Sequence, residues 1–530
     1  MTRRRILLVH PRHTNSYWGF QYSLPLFGKK AMHPPLGLVT VAALLPKEWE
    51  VRLVDMNIEP LTDAQILESD MVFTGGMTSQ ASSLFELLER CRALGRPTVV
   101  GGPLGSGQPD RLAGLPTYCV LDEAEVTLPR FLADLEAGTP APMYRAAEKP
   151  DVTRTPVPRF DLLKLKAYGV MDVQFSRGCP FNCEFCDIIA LYGRVPRAKT
   201  TEQTLAELQS LYDLGYRGPL FLVDDNFIGN KKAVRALLEK LIPWMEQRDF
   251  PFYLITEASL NLAEDRPLME SMRRAGFKRV FLGIETPSLE GLRETQKLQN
   301  THRDMVEAVH DVIDHGIEVT AGFIVGFDSD TEDIFERQIE FIRKAEIPWA
   351  MSGVLAAPPA TQLWARLEKE GRLLGFHVGD QFGRTNFVTK MDPDVLMHGY
   401  RNILRRVYDP RAYFDRVLGM IERLDRAGHP NLHRGLANPL QVALVTAVAV
   451  LVQGIFSNYR LVWWRFLWQL FTRHRSRYLS GLMNSIVGHH FIRYTSEVLA
   501  DDRTRRGRLL EVGDAPAAVP AAGGTPLRQQ

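Results

Sequence analysis

Along the first 140 residues, short apolar runs alternate with helix-forming stretches. Ile6–Val9, Val51–Val54, Met71–Thr74, Thr98–Val100 and Tyr118–Leu121 have the length and apolar continuity of buried parallel strands. Leu36–Leu45, Asp63–Glu68, Ser82–Leu94 and Glu123–Leu135 lie between them and read as helices. The alternation predicts an α/β unit, a doubly wound, Rossmann-like parallel sheet over 1–140. Such a sheet takes its ligand at the carboxyl ends of the strands. Glycine-bearing turns fall there: Gly75-Gly76, Gly101-Gly102 and Leu104–Gly107. They either let a flat ligand approach the backbone or serve only as strand-to-helix turns. The aromatic loop running from Arg12 to Met32, with Tyr17, Trp18 and Phe20, either caps a ligand or packs as a surface loop.

Residues 141–168 are rich in proline and charge and read as an interdomain linker. From 169 to 360 the alternation restarts, with candidate strands at Asp172–Ser176, Leu220–Val223, Phe252–Ile255, Val280–Ile284, Thr320–Val325 and Met351–Leu355. Candidate helices are Thr201–Leu214, Lys231–Glu246, Pro267–Gly276, Arg303–His315 and Glu332–Ala345. Residues 361–500 turn mainly helical and aromatic. Within them, 435–459 carry no charge, and that length just suffices to span a bilayer. Gln441 and Gln453 interrupt the run, and Trp463–Trp468 with Arg473–Arg477 have the composition of an interfacial helix. Three readings stay open: a peripheral membrane or apolar-substrate surface, a buried helix, and a span, ranked in that order. Residues 501–530, repeating Ala, Pro and Gly, predict a disordered tail.

Composition narrows the class. A chain of 530 residues exceeds one ordinary domain, and 45% hydrophobic residues suffice for sizeable cores. A net charge of +2 argues against a nucleic-acid partner. Five cysteines are too few for a secreted disulfide framework, and Cys91 and Cys119 read as small buried hydrophobes. Arg3–Arg5 and the four apolar residues after them are too short for a signal peptide, and thiolate chemistry suits a reducing cytoplasm.

The other three cysteines share one stretch, Cys179-x3-Cys183-x2-Cys186. Three thiolates on one loop are a ligand set for iron–sulfur chemistry. On a four-iron cluster they leave one iron open to hold and reduce a bound molecule. Structural zinc is the competing occupant, but it wants four ligands and no further Cys or His lies nearby in sequence.

This spacing, with Phe185 ahead of the last cysteine, resembles that of the radical S-adenosylmethionine (SAM) enzymes. The resemblance implies a partial (β/α)6 barrel of TIM type, a 4Fe-4S cluster on Cys179, Cys183 and Cys186, and SAM chelated at the open iron. The cluster's electron would break the sulfonium, and the resulting 5′-deoxyadenosyl radical would take a hydrogen atom from the substrate. Chemistry would sit at the carboxyl ends of the strands. Asp224, Asp225 and Asn226 stand where the superfamily has a glycine-rich turn for the amino group; the alternative is a helix cap before Lys231. Glu257 is a strand-end carboxylate that faces the ligand or stays structural. Glu285 holds the ribose position and ranks with the cysteines as a catalytic candidate. Gly322 and Gly326 occupy the motif that packs on adenine. Tyr192, Arg194 and Arg197 bind the methionyl carboxylate, order the loop, or form a solvated basic face.

The first unit resembles a cobalamin-binding domain through His33-Pro34-Pro35-Leu36-Gly37, the strand end Val54-Asp55, Gly75–Gln80 and Gly101-Gly102-Pro103. The cobalt-ligating Asp-x-His-x-x-Gly of the cobalamin mutases is missing, since Asp55–Pro60 holds no histidine. The resemblance therefore implies cobalamin without a histidine ligand from that loop. The order of three units, with Cys183–Ile188, Leu191–Arg194 and Val223–Asn230, is similar to that of the group containing the hopanoid C-2 methylases. It implies a cobalamin-dependent C-methyltransferase acting on an unactivated carbon of an apolar, polycyclic or terpenoid lipid, with flavodoxin or ferredoxin as electron donor. A radical cyclase, rearrangement or oxidation enzyme is the alternative. Methylthio transfer to transfer RNA ranks third, because cysteines for a second cluster are lacking.

Overall fold

The first sheet has six parallel strands: β1 (Arg5–His10), β2 (Glu50–Asp55), β3 (Met71–Gly75), β4 (Thr98–Gly101), β5 (Tyr118–Val120) and β6 (Met143–Tyr144), ordered β2-β1-β3-β4-β5-β6. The structure, a computed structural model, describes residues 3–377, 379, 382–428 and 439–500, apart from the side chains of 439–441. The period of two along β1 explains the double layer. Ile6 and Leu8 pack with Phe131 on one face, while Leu7 and Val9 pack with Ile66 and Leu87 on the other. Cys91 and Cys119 are buried in these cores. Two sequence expectations shift. Residues 141–144 belong to this sheet through β6, not to the linker. Leu104–Gly107 lies within a short helix, Gly102–Gly107, rather than a loop.

The second sheet is also six-stranded and parallel. β7 (Met171–Val173), β10 (Gly218–Leu222), β11 (Phe252–Ala258), β12 (Phe277–Glu285), β13 (Glu318–Val325) and β14 (Trp349–Val354) lie side by side in chain order, as a partial barrel. The expected strand Asp172–Ser176 is broken after Val173. Ser176–Arg177 (β8) leaves the barrel and pairs antiparallel with Arg197–Ala198 (β9). Between β8 and β9 runs the cysteine loop.

Helices Pro393–Val407, Pro410–Arg426, Arg460–Arg473 and Tyr478–Ala500 form the C-terminal part. The first of them covers the edge strand β14, where Tyr400 Oη donates to Ser352 O (3.0 Å) and, just past its end, Tyr408 Oη to Ala350 O (2.7 Å). The N-terminal aromatic loop packs against the C-terminal helices and the barrel. Tyr17 is fully buried against Tyr408 and Phe491, while Trp18 reaches the barrel strand β12 at Phe281, ring centroids 5.2 Å apart. Residues 435–438 and the 501–530 tail lie outside the described residues. Among the described residues no helix is long and apolar enough to cross a membrane, and a π-helical turn at Val450–Ile455 interrupts the apolar segment.

Candidate active site

The cysteine loop leaves the carboxyl end of the first barrel strand and is anchored by the strand end beside it. Asp224 is 1% exposed and accepts hydrogen bonds from Phe175 N (2.8 Å), Ser176 N (2.9 Å) and Ser176 Oγ (2.7 Å). Asp225 accepts from Gly178 N (2.8 Å). Asn226 points its Nδ2 at Cys179 Sγ (3.9 Å) and bonds Ser259. Burial raises the Asp224 carboxyl to about 7 and Asp225 to about 6, against the pull of those donors. None of the three caps the next helix, because Asn230 does so through Ala233 N. Asp224 is thus a brace of the loop rather than an open ligand.

A second clasp comes from the end of β12 and the turn after it, where sequence reasoning named Glu285 but missed Lys297 and Gln299. Glu285 ends that strand with a left-handed backbone, φ 66°, at a register shift against β13. Its Oε1 accepts from Lys297 Nζ at 2.6 Å, both side chains 11% exposed. Burial lowers the Lys297 amine, but the Glu285 carboxylate and the Cys183 sulfur more than offset it and hold it above its ordinary value. Gly283 leaves room for this pair: a Cβ there would stand 2.5 Å from Glu285 Oε1 and 2.7 Å from Lys297 Nζ, so the pair would have to shift. Gln299 Nε2 approaches Cys183 Sγ (3.7 Å), and Glu184 N donates to Thr295 O (2.9 Å).

The third clasp is C-terminal. Arg366 donates to Glu184 Oε1 (2.6 Å) and Asp328 Oδ2 (2.8 Å), and Arg372 pairs Asp328 again (2.6 Å). The two guanidiniums outweigh burial and hold the Asp328 carboxyl at about 2. The first domain supplies a fourth. Arg177 bonds Glu123 (2.8 Å) and Glu125 (2.8 Å), and Arg197 bonds Glu123 (2.8 Å) and Tyr192 O (3.0 Å). Arg194 bonds Pro180 O (3.3 Å). These cations order the loop. Tyr192 is buried enough that its phenol rises to about 12.

The thiols suit iron. Cys183 acts electrostatically on both Cys179 and Cys186, and Lys297 on all three. Burial pushes the free Cys186 thiol up to about 12, an effect that metal coordination reverses by deprotonating it. Among the described residues no three His, Cys, Asp or Glu side chains gather as ligands of a single ion. Thiolates that each bind a different iron of a cluster need not converge on one point, so this set is compatible with a cluster. Phe185 packs toward Phe327, 6.2 Å between centroids, beside Gly326. Gly322 differs from expectation, because the space of its missing Cβ is filled by Phe281 at 2.9 Å.

Below the loop, Glu257 and Phe281 face the barrel interior, while Leu254, Val280 and Leu282 pack outward under helices. Glu257 makes no hydrogen bond among the described residues. Burial first, then the carboxylates Asp225, Asp224 and Glu285, raise it to about 7. His33 Nδ1 bonds Asp172 of β7 (3.0 Å) and links the first domain to the barrel floor.

The cobalamin expectation rests on the strand ends of the first sheet. A cleft of about 330 Å³, lined by Arg12, His13, Met56, Ser79 and Ser83 among others, opens at the carboxyl ends of β1 to β3. Asp55 turns away from it and accepts from Asn57 (2.7 Å) and Tyr168 Oη (3.0 Å). The glycines pack on each other. A Cβ at Gly75 would stand 2.8 Å from Gly101 O, one at Gly101 2.8 Å from Val120 O, and one at Gly102 3.1 Å from Gly76 N. Their smallness is used for backbone packing, the plainer of the two sequence readings. His10 and His13 lie side by side at the end of β1, and burial brings each to about 4, so both are neutral near pH 7.

A partial barrel with a three-cysteine loop at its mouth defines the radical SAM class, and residues 173–342 match the family model described as the radical SAM superfamily. Residues 361–504 match a domain of unknown function, DUF4070. An uncharacterized methyltransferase of Synechocystis sp. is 39% identical over 98% of both chains. The hopanoid C-2 methylase of Rhodopseudomonas palustris is 34% identical, again over 98% of both. Among solved structures, the cobalamin-dependent SAM radical enzyme OxsB, with aqua-cobalamin and SAM bound, shares the fold with a TM-score of 0.60 over 95% of this chain and 81% of its own, at 16% identity. TsrM from Kitasatospora setae, with cobalamin and a 4Fe-4S cluster bound, gives 0.59 over 80% and 99%, at 15% identity. The chain belongs to the radical SAM methyltransferases, in the group that contains the hopanoid C-2 methylase.

Proposed function

We propose that this enzyme methylates an unactivated carbon of an apolar, polycyclic terpenoid lipid. The observation that carries the reading is the barrel interior: Phe221, Ile255 and Phe281 face inward with partial exposure, and Trp18 lies against Phe281, 42% exposed. An apolar ring system is the ligand such walls desolvate.

When bound, the cluster supplies the electron that splits SAM and cobalamin supplies the methyl group. Cys179, Cys183 and Cys186 would hold the cluster, with Asn226 directed at the Cys179 sulfur and Gln299 at the Cys183 sulfur. Glu285 and Lys297 meet SAM as a preformed ion pair, the carboxylate toward ribose hydroxyls and the ammonium toward a carboxylate. Asp225 and Glu257 offer acceptors to the SAM ammonium. The cleft above β1 to β3 receives cobalamin, with Gly75, Gly76, Gly101 and Gly102 shaping its floor by close packing. Aromatic walls exclude water from the substrate radical's site. A flavodoxin- or ferredoxin-like donor and a cytoplasmic setting belong to this proposal.

The test is anaerobic reconstitution with iron, cobalamin and 5′-deoxyadenosine quantified, against extracted polycyclic lipids. A product heavier by one methylene, formed with 5′-deoxyadenosine, supports the reading. 5′-Deoxyadenosine with unmethylated, rearranged product moves the enzyme to the cyclase alternative.

A further inference from the structure

Helix Arg460–Arg473 is apolar on two sides. Trp463, Phe466 and Leu470 recur at helical spacing and are buried, with Phe466 stacked on Phe414 (4.7 Å) and Trp463 Nε1 bonding Ser485 Oγ (3.4 Å). That face is the ordinary core-facing stripe. The opposite side carries a second stripe at the same spacing, Leu461, Trp464, Trp468 and Phe471, exposed by 79, 44, 61 and 55%. The preceding helical segment adds Ile455 (50%) and Phe456 (79%) beside it. The two elements are locked together, because Trp464 Nε1 donates to Gly454 O (2.9 Å) and a Cβ on Gly454 would stand 2.8 Å from Trp463. The outward tryptophans therefore stand on a rigid platform.

Charge says what covers this face. Residues 439–500 hold six arginines and one carboxylate, Glu497. Arg460, Arg465 and Arg473 flank the stripe, exposed, and Arg475 lies over the Phe471 ring at 5.3 Å. Exposed tryptophan with a cationic rim fits the headgroup zone of an anionic bilayer, where indole sits at the boundary and guanidinium reaches phosphate. The helix has 14 residues, about 21 Å of rise against a hydrocarbon core of about 30 Å, so it lies in the interface rather than crossing it.

We infer that the DUF4070-type domain docks the enzyme on an anionic membrane leaflet through this tryptophan–arginine face. The face is linked to the loop that enters the barrel through the segment before it. Helix Pro439–Ala449 packs beside Leu24–Phe27, in the same loop whose Trp18 touches Phe281. For its purpose, collecting an apolar substrate from the bilayer, the inference rests on the reading above. The docking itself does not.

Co-sedimentation with vesicles tests it without turnover. The purified full chain is mixed with phosphatidylcholine vesicles, with and without phosphatidylglycerol. The intact chain is expected to pellet with the anionic vesicles and to release at high salt. Trp464→Glu with Trp468→Glu should cut partition at least about tenfold. Arg465→Glu with Arg473→Glu should cut it about fivefold per arginine while sparing phosphatidylcholine binding. Thermal melts and iron content identify any variant that is simply misfolded, and Trp464→Ser with Trp468→Ser is the milder replacement. No partition of the intact chain onto anionic vesicles, or equal partition of the variants, overturns the inference. So does a dimer that the tryptophan variants dissociate while vesicle binding persists. Methylation lost with docking intact counts against the proposed function alone.

Discussion

Replacing Asp224 with alanine separates a brace from a ligand. The carboxylate is buried and accepts from two backbone N–H groups and one hydroxyl at the root of the cysteine loop. Its loss leaves both buried N–H groups without a partner, at about 1–3 kcal/mol each, or about 2–6 kcal/mol together. At 1.4 kcal/mol per tenfold, that raises the open population of the loop by a factor between about 30 and 10⁴. The expected outcome is faster amide exchange across 175–187, with 252–285 unaffected, and less iron retained per chain after desalting. Asp224→Asn should fall between, since its single amide oxygen still accepts. A variant that keeps loop protection and full iron, yet no longer binds SAM, refutes the reasoning and makes Asp224 a direct ligand.

Three other perturbations follow from the same geometry. Lys297→Ala leaves the Glu285 carboxylate buried without its partner, a loss of about 3–5 kcal/mol. Weaker SAM binding by calorimetry and a lower thermal midpoint are expected, and wild-type values for both would count against the pair. Glu257 is raised from 4.5 to about 7, so the folded state binds its proton more tightly than the unfolded chain, and stability falls as pH rises between roughly these values, by at most about 3 kcal/mol. Glu257→Gln should flatten that slope and be the more stable chain at pH 8, as denaturant titrations across the range would show; an unchanged slope removes Glu257 as its source. Arg366→Ala frees Glu184 while Arg372 still holds Asp328. The cluster should then be lost faster in air and the melting temperature should fall, because Glu184 stays buried without its cation, and equal retention would show that the C-terminal clasp is idle.

The strands were legible because continuous apolar runs bounded by turns have few other uses in a parallel sheet. The cysteine loop was legible because three thiols at that spacing have a narrow chemistry. Glu285 could be found from its place at a strand end. Lys297 could not, since it sits in a polar turn with no periodicity, and only the fold brings it back onto Glu285. Arg366 lies 182 residues from Glu184, beyond any local signal. The glycines mark a different limit. A sequence shows that a side chain is missing but not what fills the space, and the fill proved to be Gly101 O at Gly75 and the Phe281 ring at Gly322. Adjacent Asp224, Asp225 and Asn226 looked equivalent, yet each addresses a different group of the loop.

That loop also shows why the three units of the chain are not three independent machines. Arg177 and Arg197, on its two flanking strands, find their carboxylates on the first domain at Glu123 and Glu125. Glu184, between two of the cysteines, finds its cation on the third. All of these side chains are largely withdrawn from water, and a buried charge stripped of its partner costs far more than an exposed pair contributes. The neighbouring domains thus share with the barrel the task of holding the cysteine loop in place. Any displacement of the first or the third unit therefore pulls on the segment that carries the cysteines.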